Sequence, residues 1–179
     1  MSLGTSPDVA NLYIGKGIVS FMKTGAGSFT DLGEVPQVEL TLTTTVLDYF
    51  SSRSGTRAKV RSVVLEAGGN IRILMNEFSE YNMALAMLGS VDALAVGGPS
   101  IDILSVNQIT GEIKFHGTND VGPHWDLHLH NVQIKPSRSI NLINERDWGG
   151  LEFTAEILKS ESTGKFGTIQ ITDAGNVES

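Results

Sequence analysis

The chain has 179 residues, 40% of them apolar and 18% charged, which is enough for one domain, residues 1–179, with a buried core. Its formal charge is −7, and the only basic concentration is Arg53, Arg57, Lys59 and Arg61, so the cationic footprint of a protein that grips nucleic acid is missing. Cysteine is absent, which excludes a disulfide framework, a thiolate metal site and a cysteine nucleophile. No basic-then-apolar leader precedes Lys16, and no apolar run approaches the ~20 residues that span a bilayer, so no membrane role is expected.

Residues 1–10 are rich in Ser, Gly, Thr and Pro and read as a flexible arm. Leu12 to Met22 is apolar enough for a first strand, and Ser28 to Leu32 for a short return strand after the turn at Thr24-Gly25-Ala26-Gly27. Next, Val38, Leu40, Leu42, Thr44 and Val46 alternate with Gln37, Glu39, Thr41, Thr43 and Thr45, the period of a strand with one apolar and one polar face. Ser51 to Thr56 carries turn chemistry. Strands are expected over Lys59–Glu66 and Ile71–Asn76, joined by a tight hairpin at Ala67-Gly68-Gly69-Asn70.

The period then changes. Tyr81, Ala84, Leu85 and Leu88 fall on one helical face, with Ser79 or Asn76 as cap and Gly89 as terminator, so the spacing predicts a helix over about Ser79–Leu88. Ser90 to Ser100 is small and Gly-rich, a loop. Strands return at Ile101–Val106, Gly111–His116, Trp125–Ile134, Leu151–Leu158 and Phe166–Thr172, and residues 173–179 form a polar tail. The fold class is mainly β, a sandwich or half-barrel with one flanking helix.

The loudest chemical pattern is His124-Trp125-Asp126-Leu127-His128-Leu129-His130. On a strand, His124, Asp126, His128 and His130 share a face that can ligate zinc, iron or nickel. Gly122 followed by His128-x-His130 resembles the opening of a cupin metal motif. Ile134 and Lys135 stand where that motif needs a carboxylate, and its second half is missing. An ordinary amphipathic strand therefore outweighs a metal site, and no metal or cofactor is assigned. Glu152, Thr154 and Glu156 alternate with apolar neighbours and read as a solvated face rather than a glycosidase pair. No Gly-x-Ser-x-Gly elbow and no phosphate loop occurs, so an enzyme is not expected.

Several fragments together resemble the tail tube proteins of bacteriophages. They are Gly15-Lys16-Gly17, Asp31-Leu32-Gly33-Glu34-Val35 leading into Glu39-Leu40-Thr41, the Ser54-Gly55-Thr56 loop, Asn76-Glu77-Phe78-Ser79 with its helix, and Gly164-Lys165-Phe166-Gly167-Thr168-Ile169. The resemblance implies a virion structural subunit, assembled in the host bacterial cytoplasm. Six copies would join their sheets into a β-barrel ring, and the rings would stack into a conduit for DNA. It implies tape-measure, terminator and baseplate or tip proteins as partners, with DNA passing but not bound. It also implies that a long loop after the Thr-rich strand, Asp48 to Lys59, reaches the next ring, which makes Arg53, Ser54, Gly55, Thr56, Arg57 and Lys59 the expected ring-to-ring contact. Alternation nominates Glu39, Thr41 and Thr43, or Glu152, Thr154 and Glu156, as the lumen wall. The alternative is a cupin-like metal-binding β-barrel using His124, His128 and His130.

Overall fold

The computed structural model describes residues 12–53, 55–93, 96–120, 122–136, 140, 142–143 and 148–172. The expected terminal arm and tail, and Ser54, lie outside this set. The strands, in chain order, are β1 (Lys16–Lys23), β2 (Thr30–Asp31), β3 (Gln37–Ser51), β4 (Ala58–Met75), β5 (Ser90–Asp92), β6 (Ser100–Asp102), β7 (Ile109–Thr118), β8 (His124–Lys135), β9 (Leu151–Ile157) and β10 (Gly167–Thr172). One helix, α1 (Glu80–Ala86), follows β4.

Eight strands make one antiparallel sheet in the order β2-β1-β7-β8-β9-β4-β3, with β10 paired to β8, and β5 and β6 form a separate two-stranded ribbon. The fold is mainly β, as its alternating pattern predicts, and the large sheet stays open, with β2 and β3 at its ends. Period-two alternation sorts its faces. Phe21, Ile71, Ile73, Ile113, Val132, Ile134, Phe153 and Ala155 are all buried on one side. Helix α1 adds Leu85 and Ala86 to this cluster, so the centre of the apolar face is covered from within the chain.

The helix begins where its cap predicts: Asn82 N–H donates to Ser79 Oγ at 3.2 Å. It stops at Ala86, before Gly89, because Leu88 itself turns left-handed at φ 46°. Met83 packs against the core as well.

Two expectations are corrected here. Ala67-Gly68-Gly69-Asn70 is no hairpin: β4 runs through it without a break, and Leu42 pairs Gly69 and Thr43 pairs Gly68 in register. Neither glycine has a positive φ. Gly69 is bare because a Cβ there would lie 2.5 Å from the Thr41 carbonyl and 3.3 Å from Ile157 Cδ1. Asp48–Lys59 is likewise not a long loop. β3 continues to Ser51 and β4 starts at Ala58, so the connection is confined between these two residues, with Gly55 supplying φ 80°.

Asn82 is 1% exposed, and its side-chain amide donates to the carbonyls of Leu32 (2.9 Å) and Glu77 (3.0 Å), tying α1 to the loops that lead into and out of the long strands. Asn82→Ala leaves both carbonyls without that donor and should lower the unfolding free energy by roughly 2 kcal/mol. Urea denaturation of the purified chain checks this, and an unchanged midpoint contradicts it.

Candidate functional site

β9 pairs with β4 only along Gly69–Met75. Beyond that point β3 and β4 pair only with each other among the described residues, and Ala58 to Gly68 extends the pair by roughly 35 Å at the usual rise of a strand. The sequence alternates poorly here, and the arm accordingly shows apolar side chains on both faces. Leu47 is 60% exposed and pairs with Val63 on one face; Val46 and Val64 (58% exposed) pair on the other. Register shifts after Thr45 and Tyr49 interrupt the ladder.

The arm's tip gathers the expected contact residues. Arg53, Gly55, Thr56, Arg57 and Lys59 are all exposed, at or next to the turn. Two of the cations are already engaged within the chain. Lys59 Nζ lies 2.7 Å from Asp48 Oδ1, and the Arg57 guanidinium stacks 5.0 Å from the Phe50 ring centre. Ser62 Oγ donates to the same Asp48 carboxylate at 2.6 Å. The hydrogen bond from Lys59, then that from Ser62, hold Asp48 below its ordinary value. Phe50, Asp48 and Ser62 escaped the sequence reading because each meets its partner only through the β3–β4 register.

The two nominated polar sets lie on one face. Glu39 pairs Arg72, Arg72 pairs Thr154, and Asn70 pairs both Thr41 and Glu156, so β3, β4 and β9 present these side chains together, opposite the buried core. Glu39, Thr41, Asn70, Arg72, Glu152 and Thr154 line a shallow groove, and Thr43 and Glu156 continue it toward the arm. Arg72 Nη2 donates to Glu152 at 2.6 Å and Nη1 to Glu39 at 3.5 Å. Glu152 chiefly, and Glu39 more weakly, raise the guanidinium above its ordinary value. Lys135 Nζ sits 2.9 Å from Glu156. Sequence reasoning missed Arg72 and Lys135 as members of this face, although Arg72 alternates with buried Ile71 and Ile73.

The histidine strand divides. His124 pairs Thr172 at the start of β8, about 13 Å along the strand from His128. His116 Nδ1 meets Asp126 at 2.5 Å, and among the described residues no hydroxyl hydrogen-bonds that pair. His128 Nε2 meets Glu112 Oε2 at 2.7 Å, and the His128 and His130 rings are 4.4 Å apart between centres. Partial burial, then the His128 charge and Lys165, hold the His130 imidazole below its ordinary value, and Glu112 opposes them. The three-histidine set of the cupin reading is therefore not brought together, nor does the sheet close into a cupin-like barrel.

Among the described residues no helix is long and apolar enough to cross a membrane. Residues 12–100 match the model of a family described as "Protein of unknown function UCP028589". No curated protein matches the chain by sequence. Among solved structures the chain is similar to the tail of an empty GTA particle, computed with helical refinement in C6 symmetry. That similarity has 13% identity and a TM-score of 0.43, and covers 87% of this chain and 95% of that one.

The Asp48 contacts define a pH response. A folded value below the unfolded one of about 3.9 means that the stabilising contribution is complete above the unfolded value and disappears as pH falls through the folded one. Lys59→Met should move the Asp48 midpoint up toward the ordinary aspartate value, read from its carboxyl carbon by NMR. An unmoved midpoint would show that the ion pair does not hold the arm's tip.

Proposed function

We propose that this chain is a non-enzymatic structural subunit of a phage-type tail tube. In this reading six copies join edge to edge into a ring, rings stack, and DNA passes through the lumen. The observation that carries it is the β3–β4 arm. A two-stranded ribbon is marginal in water, and this one exposes Leu47, Val63, Val46 and Val64 on its two faces. Such an arm is stable when neighbouring copies cover it. β3 also ends the sheet with an unpaired row of backbone groups, a hazard that ring closure removes. The copy number of six comes from the sequence resemblance.

The polar face serves as lumen wall in this account. Glu39, Thr41, Thr43, Glu152, Thr154 and Glu156 lie on it together, and the opposite face is taken by the core and helix. Along the groove on β3, β4 and β9 the carboxylates of Glu39, Glu66, Glu152 and Glu156 outnumber the cations Arg72 and Lys135. The excess keeps passing phosphate from adhering. The ring-to-ring contact is the arm's tip, Arg53, Ser54, Gly55, Thr56, Arg57 and Lys59. Arg53 and Arg57 carry most of its outward charge, because Lys59 is paired with Asp48 whereas the Phe50 ring beneath Arg57 is uncharged. Tape-measure, terminator and baseplate or tip proteins are the partners, the particle is the site of action, and assembly takes place in the host cytoplasm.

Leu47→Asp combined with Val64→Asp places a carboxylate on each face of the arm. Assembly, read by sedimentation and negative-stain microscopy, should fall to monomer while circular dichroism keeps its β signature; tubes from this variant would sink the reading. Arg53→Glu with Arg57→Glu should shorten tubes or leave single rings at moderate salt, and normal tubes would remove the tip from the contact.

A further inference from the structure

Glu112, His128 and His130 each offer one ligand atom, and these atoms all lie within 4.8 Å of one another. We propose that they form a binding site for a divalent transition metal of the zinc class. The site comes from an irregularity in register. Gly111 pairs Val132 and Ile113 pairs Leu129, so one residue of β7, Glu112, faces two of β8, His130 and Asn131. An extra residue of this kind re-aims side chains. Here it gathers two imidazoles of β8 around the carboxylate of β7. At the same point β8 changes its partner on the other side from β9 to β10, and His130 N–H donates to the Phe166 carbonyl at 3.2 Å.

The donor set selects the ion. Two imidazole nitrogens and one carboxylate suit zinc, nickel or cobalt, whereas calcium and magnesium take oxygen ligands. A tetrahedral ion with bonds near 2 Å needs ligand atoms roughly 3.3 Å apart, so modest side-chain rotation closes the site. Metal binding replaces the hydrogen bond between His128 Nε2 and Glu112 Oε2, and the ring nitrogen that ligates must be unprotonated, so a proton it carries moves to the other ring nitrogen or to solvent. The ligands stand on paired strands whose neighbouring residues Ile113 and Leu129 are buried, which fixes their backbones. All three are half-buried, leaving a further coordination position to water or to an outside donor. The nearby cations are Lys165, which acts on His130, and Lys114, whose ammonium lies 4.2 Å from the Phe29 ring centre. One carboxylate offsets part of their repulsion. The proposal stands whether or not the chain builds a tube.

The test is calorimetric titration of the chelator-stripped full chain with zinc sulfate, paired with the visible spectrum of the chain loaded with cobalt(II). The expected result is one metal per chain and a cobalt band of tetrahedral intensity. Glu112→Gln and His130→Ala should each weaken zinc at least tenfold, with circular dichroism unchanged, and His124→Ala should change it less than twofold. Absence of saturable binding, a featureless cobalt spectrum, or equal loss in His124→Ala overturns the proposal. The cobalt spectrum of the wild-type chain decides the matter even if a variant fails to fold.

Discussion

β4 belongs to two environments, and the rest of the molecule follows from that division. From Gly69 to Met75 it lies between β3 and β9, with Ile71, Ile73 and Met75 fully buried. From Ala58 to Gly68 it has β3 alone among the described residues. The first half is held by tertiary packing, and the second by a ladder of backbone hydrogen bonds with no core beneath it. Gly69 marks the change, because a side chain there would strike Thr41 and Ile157 where the three strands converge. A monomer built this way carries a stable sheet and an arm whose order depends on what covers it.

The sheet's two faces divide the labour. Over its centre the apolar face is covered by α1, while Leu42 on β3 and Ile169 and Ile171 on β10 stay exposed on that same face. The polar face carries a ladder from Glu39 through Arg72 to Glu152, with Lys135 on Glu156 beside it. Under the proposed tube this ladder matters mechanically as well as electrostatically. It ties β3, β4 and β9 across their shared face, so the wall stays ordered while presenting a surface from which phosphate is repelled. Further along the sheet, the irregularity at His130 and Asn131 converts an otherwise ordinary polar strand into a three-donor cluster.

Much of this was legible in the sequence where alternation is clean. The Thr-rich β3, the Leu151–Ile157 strand and the short helix after Ser79 all follow from their periods, and the mainly-β class follows from them. The two nominated polar sets were legible singly; that they share a face depends on β9 pairing β4, a long-range register that local patterns do not carry. Gly68-Gly69 misled because a glycine pair signals a turn equally well as a close approach of backbone. The turn is shorter than the resemblance implies because Asp48, Tyr49 and Phe50 keep extended backbone after the clean alternation ends. Glu112 was invisible as a partner of His128, sixteen residues away, since only the irregularity in β8 brings it there.

The central claim is that the β3–β4 arm is ordered by neighbouring copies, and amide hydrogen exchange above and below the assembly concentration tests it most directly. The account predicts that amides from Thr43 to Leu65 exchange rapidly in the dilute chain and become protected by at least a hundredfold on assembly, while Ile71 to Met75 stay protected throughout. Arm amides equally protected in the isolated monomer, or unprotected in the assembled state, would contradict it.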